Sequence, residues 1–377
     1  MLTMISALPV GPYDWNPSLL PEAEYETRLA LARERMSKLG LSALIVHGDR
    51  LDEGALAWLS GMIPKLGPAF ALVGASGPVR VLFSGGAGMR SSAARQTWIE
   101  DVRAIGSLES DLVAWLEETG KGPERRVGLW DGEALSMRAR RAITRAGHGR
   151  ARMEEVGDSF EALRRRKSQF ELGLMETAGA LARAVLQRCD EGLRAGQGMR
   201  RAALPAERAG YDAGAQDVRV LGSRRPSGVP LVIDGAEEAR ASEANLYVAV
   251  RYRGYWSDLH GRSGEADDLS RLATEGLRAA AARSCPGMGL DEIAGSGGLR
   301  PQLHIDLAGI GLSLREAPLP GQADRLEEGD VCSITVTARG SGRCALASDV
   351  FMIARTGAIS LSEAGMNERK SELRGRS

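Results

Sequence analysis

The stretch Arg251-Tyr252-Arg253-Gly254-Tyr255-Trp256-Ser257-Asp258-Leu259-His260-Gly261-Arg262 gathers the densest set of chemically able side chains in this sequence. If it is extended, strand alternation puts Trp256, Asp258 and His260 on one face. A carboxylate and an imidazole so placed can act as orienting group and general base. The same residues also read as a polar strand edge, with Arg–Asp pairs that contribute little. Other candidates are poorer. Ser84-Gly85-Gly86-Ala87-Gly88 follows a strand signal and could offer backbone N–H groups to a phosphate. It lacks the Gly-Lys-Ser/Thr ending and the dinucleotide spacing, so it also reads as a strand–helix turn. Gly295-Ser296-Gly297-Gly298 reads as a loop. No Gly-x-Ser-x-Gly elbow is present. His47 ends an apolar run and reads as a strand-end hydrogen bonder, and His148, between two glycines, as a solvated loop residue.

The elements that must carry such residues follow from pattern. Apolar residues at helical spacing predict a helix over Glu22 to Leu39, stopped by Gly40. A strand is expected at Ala43 to Val46, and a short helix at Glu53 to Leu59 closed by Gly61. Two strands flank the Gly74–Gly77 turn. A helix at Leu108 to Glu118 and a strand at Val127 to Trp130 complete a small α/β domain. Glu154 to Arg166 reads as a charged connection into a long proline-free helix from Lys167 to Leu193. Beyond it, strand runs (Val218–Leu221, Leu246–Tyr252, Val331–Val336, Val350–Ile353) mix with helices at Leu269–Arg283 and about Leu290–Ala294. This is the signature of an α+β domain. A frayed, charged tail is expected after Glu363.

Composition sets outer bounds. The chain has 377 residues and is 43% apolar, with 49 Lys+Arg against 49 Asp+Glu. That suits two cores and argues against disorder, and against nucleic-acid or membrane-surface binding by bulk charge. Aromatics at 5% give no base-stacking platform. The 47 glycines show no collagen period, so they imply turns. The widely spaced Cys189, Cys285, Cys332 and Cys344 read as reduced, mostly buried thiols. No apolar run is long enough to span a bilayer and no basic-then-apolar leader pattern is seen, so the expected location is the cytoplasm. Only four histidines are available for any metal or acid–base scheme.

The ordered motifs resemble the creatinase/prolidase/aminopeptidase P family, which shares the pita-bread fold. They are Glu24…Arg28…Arg33…Met36…Gly40-Leu41 with Ala43-Leu44-Ile45-Val46, then Ala57-Trp58-Leu59-Ser60-Gly61, and Arg166-Lys167-Ser168…Glu171. Later come Gly254-Tyr255-Trp256-Ser257-Asp258, Gly309-Ile310-Gly311-Leu312…Glu316-Ala317-Pro318, and Leu326-Glu327-Glu328-Gly329-Asp330-Val331. The resemblance implies an α/β creatinase-like N-terminal domain over residues 1–153. An α+β pita-bread C-terminal domain over 154–377 would follow it.

Family peptidases hold two metal ions on two Asp, one His and two Glu. By the resemblance those positions fall on Tyr247, Asp258, Ala308, Thr335 and Ser348, so one carboxylate of five is kept. A second family histidine falls on Arg315, and a looser match places another on Leu231. Ala, Thr and Ser supply too little donor strength for a divalent pair, so no metal and no cofactor is expected. Creatinase cleaves a C–N bond without metal, but neither Glu of its site, nor a clear counterpart of its His, is present here. If the strand after Leu326-Val331 alternates, Ser333, Thr335 and Thr337 face the cleft with Tyr247 and Arg251. His304 lies four residues before Ala308, and only His260 adjoins a retained site residue.

Two functions are then open. One is a metal-independent enzyme acting at a C–N bond of an anionic or amino-acid-like small molecule. Its catalytic residues would be His260, Asp258 and Tyr247, and its substrate-binding residues Arg251, Trp256, Arg315, Glu316, Thr335 and Ser348. The other is an inactive ligand-binding or partner subunit, with Arg315 paired to Glu316 or Asp258. The resemblance also implies a homodimer, or a heteromer with an active paralogue. In such a dimer the Lys65-to-Phe70 segment would reach the partner's cleft.

Overall fold

The structure is a computed structural model describing residues 13–120, 122, 124–223, 228–233, 244–289, 292–293, 302–319 and 325–363. The described residues fall into two compact units divided between Arg164 and Arg165.

In the first unit the helices are α1 (Glu22–Leu39), α2 (Gly54–Ser60), α3 (Arg90–Ala94), α4 (Leu108–Glu118), α5 (Met137–Gly147) and α6 (Gly157–Arg165). The strands are β1 (Ala43–Gly48), β2 (Ala69–Gly74), β3 (Arg80–Phe83), β4 (Asp101–Ala104), β5 (Arg126–Trp130) and β6 (Arg152–Glu155). They form one sheet in the order β4-β3-β2-β1-β5-β6. β1 and β2 are buried at every position, which is why they read as continuous apolar runs. Gly40 and Gly61 end α1 and α2 in the left-handed conformation, as the stop signals predict.

Two expectations need correction. The domain boundary lies near residue 164, not 153. The charged strand β6 pairs with β5 as a sheet edge, and Phe160 of α6 packs on Trp130 with ring centroids 5.1 Å apart. Glu154 to Arg166 is therefore mostly strand and helix rather than connection. The Ser84–Gly88 loop is a turn leading through one 3-10 turn into α3.

The second unit contains the helices α7 (Gln169–Arg194), α8 (Met199–Asp212) and α9 (Asp268–Arg283). One sheet has the order β10-β9-β7-β8, built from β7 (Asp217–Gly222), β8 (Leu231–Val232), β9 (Ala244–Tyr252) and β10 (Tyr255–Ser263). The other has the order β11-β12-β13-β14, from β11 (Leu303–Gly309), β12 (Val331–Gly340), β13 (Arg343–Ala354) and β14 (Gly357–Ser360). Strand alternation divides each sheet. Val218, Val220, Leu246, Val248, Val250 and Leu259 pack with α7 and α8. Ile305, Leu307, Cys332, Ile334 and Val336 pack with α9. The intervening residues form the opposite, polar face. Ser168 starts α7 with a capping box to Glu171. Residues 295–298, the tail after Glu363 and most of the helix expected at 290–294 lie outside the described residues.

Candidate functional site

Register assembles the polar face into cross-strand rows. His260 of β10 lies opposite Tyr247 of β9, while Ser348 of β13 lies opposite Thr335 of β12, which lies opposite Asp306 of β11. The two sheets meet through His260, whose backbone N–H donates to Ser348 Oγ at 2.6 Å and whose Nδ1 lies 3.0 Å from the same oxygen. Thus Tyr247, His260, Ser348, Thr335 and Asp306 make one polar row across both sheets. The next row holds Arg219, Ala249 and Asp258 on one sheet, with Ser333 and Ala308 on the other.

Tyr247 Oη donates to Asp258 Oδ2 at 3.2 Å, and the Tyr247 and His260 rings lie 4.8 Å apart. Asp258 Oδ1 is shut off from solvent with no hydrogen-bond partner. Burial raises the Asp258 carboxyl above the usual carboxylate range, against the opposing pull of the Ser333 and Tyr247 hydroxyls and the Arg315 charge. Burial, then the nearby Asp258, pushes the Tyr247 phenol well up. His260 goes the other way. Burial and Arg315 bring it down to about 4, against Asp306, so its ring is neutral at neutral pH.

Several sequence-predicted roles change. Asp258 does not orient His260: residues two apart on a strand are separated by about 6.5 Å, and each has taken a different partner. Arg251 and Trp256 are buried opposite one another, with the Arg251 guanidinium 5.6 Å from the indole centroid and its Nε donating to Gly254 O. Both hold the hairpin, and the backbone N–H of Trp256 also donates to Gly311 O at 2.7 Å.

Glu316 is buried too, and its Oε1 accepts from Lys167 Nζ at 2.6 Å. Arg315 pairs with neither Glu316 nor Asp258 but with Asp306, at 2.8 Å. Thr335 and Ser348 stand on the cleft face as alternation requires. His47 is buried in the first unit, tilted against Phe70, and His148 caps α5. Sequence reading missed Asp306 and Arg219, whose guanidinium lies 4.4 Å from the Trp256 centroid. Their signal is cross-strand register, which no local motif carries.

The donor set does not fit a pair of divalent ions. The five implied positions present a phenol engaged with Asp258, one carboxylate, a methyl and two hydroxyls. Among the described residues no group of three or more His, Cys, Asp or Glu side chains could hold a metal ion. No described helix is long and apolar enough to cross a membrane.

Residues 28–165 match the family model of the creatinase/prolidase N-terminal domain. No curated protein sequence matches the chain. Solved structures match over most of its length. A prolidase from Pyrococcus horikoshii is 18% identical, with a TM-score of 0.73 over 90% of this chain and 99% of that one. An X-Pro aminopeptidase from Thermotoga maritima is 16% identical, with a TM-score of 0.73 over 88% and 98%. An aminopeptidase P variant from Escherichia coli is 14% identical, with a TM-score of 0.70 over 93% and 96%. The chain therefore carries a creatinase/prolidase N-terminal domain, followed by a C-terminal domain of the pita-bread type found in the prolidases and aminopeptidase P.

Proposed function

We propose that the second unit is a metal-independent enzyme that hydrolyses or eliminates at a C–N bond of a small anionic or amino-acid-like molecule. The observation that carries this reading is the His260–Ser348 pair at the junction of the two sheets. The backbone N–H of His260 pins Ser348 Oγ, and that oxygen fixes the ring through Nδ1. With Nδ1–H donating to that oxygen, Nε2 keeps its lone pair and is the ring nitrogen left for a ligand. A neutral imidazole so held can accept a proton from an attacking water or from a substrate carbon. The Tyr247–Asp258 pair is the complementary proton source. Its carboxyl holds a proton to higher pH than an exposed one and can deliver it to the departing nitrogen. Arg315, more than half exposed, supplies a charge for the anionic end of the substrate.

One observation favours a second reading, a non-catalytic ligand-binding subunit. The cleft charges Arg219, Arg315 and Glu316 each already have an ion-pair partner within the protein. A screen of small amides, guanidines and amino acids separates the two. His260→Ala should lower turnover by at least about a hundredfold while ligand binding survives. Full activity in that variant would remove His260 from the mechanism, and binding without turnover would favour the second reading. Metal analysis of active protein should find no stoichiometric Mn, Zn, Co or Fe, and two ions per chain would overturn the metal-independent scheme. We further propose a homodimer, which a monomeric mass in light scattering would refute.

A further inference from the structure

The chemistry above leaves one cleft cation unused. Arg219 of β7 lies opposite Ala249 of β9, and Ala249 lies opposite Asp258 of β10. The three share a face, with Ala249 the residue between Arg219 and Asp258 on the middle strand. Arg219 is held from two sides. Its plane lies over Trp256, with Cζ 4.4 Å from the centroid, and its Nε and Nη2 donate to Asp217 Oδ2 at 3.3 and 3.1 Å. Nη1 makes no hydrogen bond to a described residue, and the side chain is 24% exposed. Arg315 is held more loosely, by a single bond from Nη2 to Asp306 at 2.8 Å, while Nε and Nη1 make no hydrogen bond to a described residue. Both charges act on the Tyr247 hydroxyl, lowering its pKa against the effect of burial. Asp258 Oδ1 lies near that hydroxyl without a partner.

Two guanidinium groups, each fixed by a carboxylate and each with donors to spare, form a pair of sockets rather than one. We propose that the cleft takes a small dicarboxylate, with one carboxylate on Arg219 and the other on Arg315. The bond to be cleaved then lies between them, over Tyr247, Asp258 and His260. This rests on the enzyme reading above and narrows its substrate class.

Calorimetric titration of the full chain with glutarate and with butyrate tests it. Wild type should bind glutarate about tenfold or more tighter than butyrate. Arg219→Gln should abolish that preference while leaving butyrate affinity unchanged, and Arg219→Lys should recover part of it. A folding defect would weaken both ligands together, and the Lys variant controls for it. Equal affinity of wild type for the two acids, or a preference that survives Arg219→Gln, overturns the proposal while leaving a single-anion cleft intact. Failure of both acids to bind at millimolar concentration overturns the anionic-ligand reading itself, and this inference with it.

Discussion

Asp258 and Glu316 are carboxylates of the same unit, and they are held in opposite ways. Glu316 is buried with a lysine ammonium 2.6 Å from Oε1, and its Oε2 accepts from Ser313 N–H at 3.3 Å. Gly311 keeps this possible, because a Cβ there would overlap the carboxylate. Asp258 is half-buried and is met by the Tyr247 and Ser333 hydroxyls instead of a paired cation, with Oδ1 left without a hydrogen-bond partner. A fully compensated charge resists change and contributes to architecture. An uncompensated one is poised to gain or lose a proton, or to meet a ligand. The same cleft thus separates structural from chemical carboxylates by what each is bonded to.

Breaking the structural pair should give the largest effect. Lys167→Met leaves Glu316 buried without its cation and should cost about 3–5 kcal/mol in urea unfolding. Lys167→Met with Glu316→Leu removes both charges and should recover much of that loss. If the single variant were as stable as wild type, Glu316 would belong with Asp258 and the contrast would collapse.

Much of this frame was legible in the sequence, and the gaps have physical causes. β1 and the β9–β10 hairpin carry strong apolar or alternating signals, so they were readable. Helix α5, Met-Arg-Ala-Arg-Arg-Ala-Ile-Thr-Arg-Ala-Gly, buries mainly alanines and one isoleucine, so its apolar stripe is faint. Helix α8 contains Pro205, and β6 is a charged edge of four residues. Alternation alone groups Asp258 with His260, and Ser333 with Thr335, on one face of their strands, whereas Ser348 is reached only through the family resemblance. Which of them touch was not legible, because the His260–Ser348 junction joins residues 88 positions apart. Glu316 and Arg315 are adjacent in sequence yet serve different partners, Lys167 and Asp306.

A second test uses pH and sets the two units against one another. The folded His260 pKa is lowered to about 4 from an ordinary 6.5. Between those values the unfolded chain binds a proton that the folded one refuses, so this group makes stability fall as pH falls from about 6.5 towards 4. Asp131, buried in the first unit with Oδ2 unpartnered, is raised to about 7 by burial and then by Asp52 and Glu161, against Arg164. Its contribution has the opposite sign: full at low pH, and lost as pH rises from about 4 through 7. In chemical unfolding followed from pH 4 to 8, each should change the slope by at most about 1.4 kcal/mol per pH unit. His260→Gln should flatten the acid loss, and Asp131→Asn should stabilise the protein near pH 8 while doing little at pH 4. Parallel pH profiles for wild type and both variants would mean that neither group titrates as its surroundings require.

The smallest stability effect should come from Asp258→Asn, and that smallness is the point. The amide has the size of the carboxyl, its oxygen can still accept from Tyr247, and it removes a charge that burial disfavours. Unfolding free energy should stay within about 1 kcal/mol of wild type. Activity should not survive, because an amide cannot deliver a proton to a departing nitrogen. In the structural pair, by contrast, stability and activity should fall together. A stable Asp258→Asn protein that retained turnover would show that the unmatched oxygen is a vestige of the fold, and would leave His260 and Ser348 to carry the chemistry alone.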